Sequence, residues 1–202
     1  MGNRHRRRQT LTSPAAGRHF KINSNGTATF SNTTLKGGTN SGGIDVAGGT
    51  ATFTGTTFDG NKTTDKGGAI YAENGTDVTF DAVTFTGNSA KDGGAIYVKS
   101  GVLTLPEGVK LTTNNATDNG GAVALGPTAT VRFANKEITR NHAKNGGAVH
   151  APAGSKLEFT SDFSFANNSA DEGGGAVYAQ ALTLNPESHK LTFEDNRSKG
   201  KG

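Results

Sequence analysis

Gly67-Gly68-Ala69-Ile70-Tyr71-Ala72, followed by Val78-Thr79-Phe80, Val83-Thr84-Phe85 and Asn88, is the stretch on which the fold turns. Ile-Tyr-Ala, Val-Thr-Phe and Val-Thr-Phe each run apolar, polar, apolar. That is the period of a strand buried on one face, and no helical spacing competes with it. Glycine pairs and Asn break the strands apart, as turn residues do. The stretch is expected to fold as three short strands joined by corners, with Tyr71, Thr79 and Thr84 pointing outward.

The same pattern recurs along most of the chain. A glycine pair leads into an aliphatic residue at Gly42-Gly43-Ile44, Gly67-Gly68-Ala69-Ile70, Gly93-Gly94-Ala95-Ile96, Gly120-Gly121-Ala122-Val123, Gly146-Gly147-Ala148-Val149 and Gly174-Gly175-Ala176-Val177. Successive first glycines lie 25, 26, 27, 26 and 28 residues apart. In phase with them run Phe58-x-x-Asn61, Phe85-x-x-Asn88, Leu111-x-x-Asn114, Ile138-x-x-Asn141, Phe165-x-x-Asn168 and Phe193-x-x-Asn196. Two interlocked series with one period identify a repeat architecture. Three strands in about 26 residues describe one triangular coil, and stacked coils pair each strand with its own copy. The chain is therefore expected to be all-β: a right-handed parallel β-helix of about six to seven coils.

Composition agrees. Hydrophobic residues are 32% and aromatics 7% of 202 residues, with 30 glycines. A thin core shared between coils needs few apolar residues per coil. The absence of Cys excludes a disulfide framework and thiolate metal sites. Much of the net charge of +4 comes from Arg4, Arg6, Arg7 and Arg8. The remainder is near neutral, so no nucleic-acid partner is expected, and no apolar run has the length of a transmembrane helix. Residues 1–19 are expected to form a disordered basic arm, 20–198 the β-helix and 199–202 a flexible tail.

The paired glycines suit a corner that needs positive φ or close backbone approach. Asn61, Asn88, Asn114, Asn141, Asn168 and Asn196 are expected to form an internal ladder, each amide bonding the next.

Gly-Gly-Ala-[Ile/Val] alternating with Phe-x-x-Asn resembles the repeat of the chlamydial polymorphic outer membrane proteins, over about residues 28–198. The resemblance implies a β-helical autotransporter passenger, displayed outside the cell or on its outer membrane and adhering to a host-cell surface protein or glycan. The chain shows neither the signal peptide nor the membrane barrel of that family and is expected to be a fragment. Leu35-Lys36-Gly37-Gly38 replaces Phe-x-x-Asn in its first coil.

Two outward stripes emerge on aligning the coils. One holds Asp45, Tyr71, Tyr97, Ala124, His150 and Tyr178. Its rings Tyr71, Tyr97, His150 and Tyr178 are the candidate interaction strip, since exposed Tyr is enriched at binding surfaces. Stacked rings also stabilise a parallel ladder, which is the architectural reading. The other holds Asp65, Lys91, Asp118, Lys144 and Glu172, alternating in sign. Each carboxylate is expected to face an ammonium on the coils above and below.

A polysaccharide lyase or glycoside hydrolase is the rival function on such a fold. It needs carboxylates converging across neighbouring coils, and here the in-register acids alternate with Lys. No catalytic residue, cofactor or metal site is expected, and the expected role is adhesin or interaction scaffold, with a pure spacer as a third reading. The last coil leaves a sheet edge through which self-association is expected.

Overall fold

The computed structural model describes residues 8–13, 17–37, 42–134, 137–182 and 189–200. Along these residues the chain winds as a parallel solenoid, every strand pairing with its counterpart about one period away. Leaving the glycine pair, a coil enters the corner sheet, whose rungs are Phe20–Asn23, Ile44–Ala47, Ile70–Ala72, Ile96–Leu105, Val123–Phe133, Val149–Ala151 and Val177–Ala179. It continues into a middle sheet of Thr27–Ser31, Thr50–Thr54 and Val78–Asp81. In the next two coils the corner and middle strands merge into the single strands Ile96–Leu105 and Val123–Phe133, on which Lys156–Phe159 packs as the next rung. The phenylalanine sheet follows: Gln9–Thr12, Thr33–Lys36, Thr57–Asp59, Thr84–Thr86, Lys110–Thr112, Glu137–Thr139, Phe163–Ala166 and Leu191–Glu194. Seven corner rungs and eight phenylalanine rungs agree with the six to seven coils expected from the spacing of the glycine pairs.

Inward residues of the corner, middle and phenylalanine sheets make one continuous core. Phe58 lies over Phe85 with centroids 4.9 Å apart and planes 5° from parallel, and Phe165 lies over Phe193 at 5.3 Å. Phe53, Phe58, Phe85, Phe133 and Phe165 are fully buried. Each such side chain contributes about 1.5–3 kcal/mol by leaving water. Stacking like on like gives every coil the same hole to fill, which keeps the register.

Three expectations need correction. First, the coil is not a triangle of three strands. A fourth, alanine sheet lies between each Asn and the next glycine pair: Ser89–Asp92, Asn115–Asn119, His142–Asn145, Ser169–Gly173 and Arg197–Ser198. Each of its first four strands buries a single Ala (Ala90, Ala116, Ala143 or Ala170), too small and solitary to show as an alternating run. Second, order begins before residue 20. Gln9–Thr12 pairs with Thr33–Lys36, placing Leu11 over Leu35, and the Arg8 guanidinium donates to the Gly55 carbonyl at 3.4 Å. One apolar residue between two Thr is enough to add a rung. Arg4, Arg6 and Arg7 lie outside the described residues. Third, Lys199 is tied to the coil and is not part of a free tail. Its backbone N–H donates to Ala170 O at 3.1 Å and its Nζ meets Asp171 Oδ1 at 2.8 Å. Lys201 and Gly202 lie outside the described residues.

Candidate functional site: in-register columns inside and outside the rod

The glycine pairs do two different jobs. Gly67 has φ +64°, and Gly93, Gly120, Gly146 and Gly174 repeat it within 2°. A side chain would be strained there. The second glycine faces the neighbouring coil: a Cβ on Gly68 would collide with the Gly94 carbonyl oxygen, and Gly94, Gly121 and Gly147 stand likewise against Gly121, Gly147 and Gly175. Gly175 meets the Arg197 backbone instead.

Immediately after the phenylalanine sheet the chain turns inward at Asn, and the expected ladder forms. Asn88 Oδ1 accepts two hydrogen bonds from Asn61, one from its backbone N–H and one from Nδ2, both at 3.0 Å. Asn61 Nδ2 also donates to the Leu35 carbonyl on the preceding rung of the phenylalanine sheet, at 3.0 Å. The same three contacts repeat from Asn88 to Asn114, Asn114 to Asn141, Asn141 to Asn168 and Asn168 to Asn196. Only a primary amide both donates twice and accepts twice in this space, so Asp, Ser or Leu cannot stand in. Asn61 has no amide on the coil below. Its Oδ1 finds no hydrogen bond of normal geometry among the described residues, and the His19 ring is near enough only to interact with it.

Outside, the corner sheet aligns Lys21, Asp45, Tyr71, Tyr97, Ala124, His150 and Tyr178 in one column. The rings form two stacked pairs rather than a strip. Tyr71 and Tyr97 lie 5.6 Å apart, His150 and Tyr178 5.5 Å apart, each pair with planes 5° from parallel, and the buried Ala124 separates them. Across the glycine corner runs a facing row of Lys66, Asp92, Asn119, Asn145 and Gly173. Lys66 Nζ stands 4.6 Å above the Tyr97 ring and 3.4 Å from its hydroxyl. Arg18 lies 5.8 Å above Tyr71 while donating to the carbonyls of Gly67 at 2.8 Å and of Lys66. Burial pulls the Arg18 guanidinium below its usual pKa and pushes the Tyr71 hydroxyl up. The result is graded exposure: Tyr97 keeps 9% of its surface and Tyr178 keeps 42%. Gly173 explains the open end, because a Cβ there would press on the edge of the Tyr178 ring at 2.9 Å. Burial also lowers the His150 pKa, with Asp92 opposing.

The charged stripe pairs by twos. Lys91 meets Asp118 at 3.7 Å and Lys144 meets Glu172 at 3.2 Å, whereas Asp65 and Lys91 touch through backbone alone among the described residues. Other acids are matched with a cation one rung away: Asp45 with Lys21, Asp59 with Lys36, Glu73 with Lys99 and Glu158 with Arg132. On the alanine sheet His142 bridges Ser169 Oγ at 2.9 Å and Asp171 Oδ2 at 3.2 Å. That is the connectivity of a nucleophile, base and orienting acid. The amides beside Ser169 are already committed, Ser169 N–H to Asn141 O and Arg197 N–H to Asn168 O, so neither is aimed at a reacting oxygen. Sequence reasoning missed this cluster because His142 lies one coil before Ser169 and Asp171, and it missed Arg18 and Lys66 because neither recurs at the matching position of the neighbouring coil.

Among the described residues no helix is long and apolar enough to cross a membrane. The sequence model of a family described as a right handed beta helix region matches residues 42–202. No curated protein and no solved structure matches the chain.

Proposed function

We propose, from the premise that this chain belongs to the right-handed β-helix family, that it works as an interaction scaffold whose outer columns meet a partner on another surface. The observation that carries this reading is the fate of the outward side chains. Asp45, Glu73, Asp118, Glu158 and Glu172 each pair with a Lys or Arg one rung away, while aromatic rings are held flat and in register. A surface of locked rings and cancelled charge offers contact area at low entropy cost, as binding surfaces require. The open end of the column, His150 with Tyr178, is the part a partner can reach. Taken with the resemblance to the polymorphic outer membrane repeat, the partner is a host-cell surface protein or glycan, the chain is an autotransporter passenger, and its place is outside the cell.

Beads coated with the protein and counted on epithelial cells test this. Attachment is expected, and changing His150 and Tyr178 together to Ser is expected to remove most of it while the melting temperature stays within a few degrees. Attachment that survives the double change relocates the contact. No attachment by the unaltered protein overturns the adhesive reading in favour of a spacer, and release of oligosaccharides from a polysaccharide panel would replace it with an enzymatic one.

A further inference from the structure

We propose that the outer face of the middle sheet binds ice. Its three rungs, Thr27–Ser31, Thr50–Thr54 and Val78–Asp81, pair in parallel with no shift of register in either ladder. Inward lie Ala28, Ala51 and Val78 in one column and Phe30, Phe53 and Phe80 in the other. Alternation turns the remaining residues to solvent. They form the columns Thr27-Thr50, Thr29-Thr52-Thr79 and Ser31-Thr54-Asp81, so seven of eight outward positions carry a hydroxyl. All seven are exposed or half-exposed, and none exchanges a side-chain hydrogen bond with a described residue. Thr33 and Thr56, just outside the grid, instead turn their hydroxyls back onto the carbonyls of Ser31 and Phe30.

The grid repeats in two directions, about 4.8 Å from rung to rung and about 6.6 Å between outward neighbours on one strand. Those spacings are near the ones between water molecules along the two axes of the prism face of ice. An ice face is also uncharged and offers only hydrogen-bond donors and acceptors, which is what seven free hydroxyls match. A protein partner needs no lattice and favours Trp, Tyr and Arg anchors over Thr, and none of those three stands in the grid. A charged polymer is no better suited: the one charge in the grid is Asp81, and Arg8 reaches the Gly55 carbonyl past its edge. The face is stiff as well. β-Branching restricts each Thr side chain, and beneath the grid Phe30 stacks on Phe53 at 5.1 Å with planes 12° from parallel. Hydroxyls held in place lose little freedom on contact. Later coils leave the pattern, with Thr104, Arg132 and Glu158 forming one outward column. This inference goes beyond the adhesive reading, which concerns the corner sheet, and is tested without cells.

The full chain is added to water in which one ice crystal is grown slowly, and the fraction taken into the ice is compared with that of albumin. Incorporation several-fold above albumin is expected. Thr52→Lys, at the grid centre, is expected to bring it down to the albumin level, while Thr112→Lys, on the outer face of the phenylalanine sheet, leaves it unchanged. Arg132 and Glu158 already place charged side chains outward on such rungs, so Thr52→Lys is compatible with folding, which a circular dichroism melt checks. If it does not fold, Thr29→Lys, one rung away in the same column, replaces it with the same expectation. Exclusion of the unaltered protein from ice, or equal incorporation of the Thr52→Lys and Thr112→Lys variants, overturns the proposal. Exclusion from ice together with retention on an insoluble polysaccharide overturns it in favour of a glycan.

Discussion

Two columns of side chains run along the same rod, one inside from Asn61 to Asn196 and one outside from Lys21 to Tyr178, and they follow different rules. Inside, six rungs carry the same residue and every link uses the same contacts. Outside, seven rungs carry five kinds of residue, with one stacked pair at each end of a gap at Ala124. Burial accounts for the contrast. A buried amide that loses a partner strands polar groups that water cannot reach, so identity is enforced rung by rung. A residue on the outer face can exchange a lost neighbour for solvent, so its identity drifts. The outer column approaches the inner rule only at Tyr97, where Lys66 seals the ring.

Breaking the inner column should have the largest effect. Asn114→Ala removes the acceptor of both Asn88 donors and the donors to Phe85 O and Asn141 Oδ1. Each stranded buried group costs about 1–3 kcal/mol, so a loss of about 3 kcal/mol or more is expected by urea denaturation. A loss below about 1 kcal/mol would remove the distinction between the columns. Within the outer column, Tyr97→Ser is expected to cost about 2 kcal/mol and Tyr178→Ser less, about 1 kcal/mol, because the first gives up more buried ring area. Equal losses in the two melts would mean that exposure does not govern this column. Reversing one charge, Lys91→Asp, sets a carboxylate against Asp118 and is expected to cost about 0.5 kcal/mol in low salt and less in high salt. A salt-independent change would point to packing instead.

The smallest effect is a pH dependence. Burial lowers the pKa of His150 and of His19 in the folded chain. On acidification the unfolded chain therefore takes up protons first, at about pH 6.5, and stability falls as the pH drops through that value. Urea midpoints taken from pH 7.5 to pH 5 should decline, and His150→Gln should flatten the decline without abolishing it, since His19 remains. An unchanged slope would show that the His150 ring is as solvated as in the unfolded chain.

The fold was legible because its two signals repeat. One Gly-Gly-Ala-Ile means little, but its recurrence in phase with Phe-x-x-Asn leaves one architecture, and the Asn ladder follows from placing like residues about 4.8 Å apart. The alanine sheet was not legible, because a strand with one inward Ala has no period to read. Asn-x-Ala at Asn88, Asn114, Asn141 and Asn168 was the signal available. The outer column was legible as an alignment and not as a surface. Its register was correct, yet whether a ring is open or sealed depends on Lys66, Arg18 and Gly173, which come from other strands.

Periodicity in the sequence determined the solenoid, its register, the paired-glycine corners and the buried amides, because each is a local pattern copied at a constant spacing. Tertiary structure alone decided which copies stay exposed. Exposure is set by what one coil lays across its neighbours, and those covering residues occur once each, where no repeat announces them.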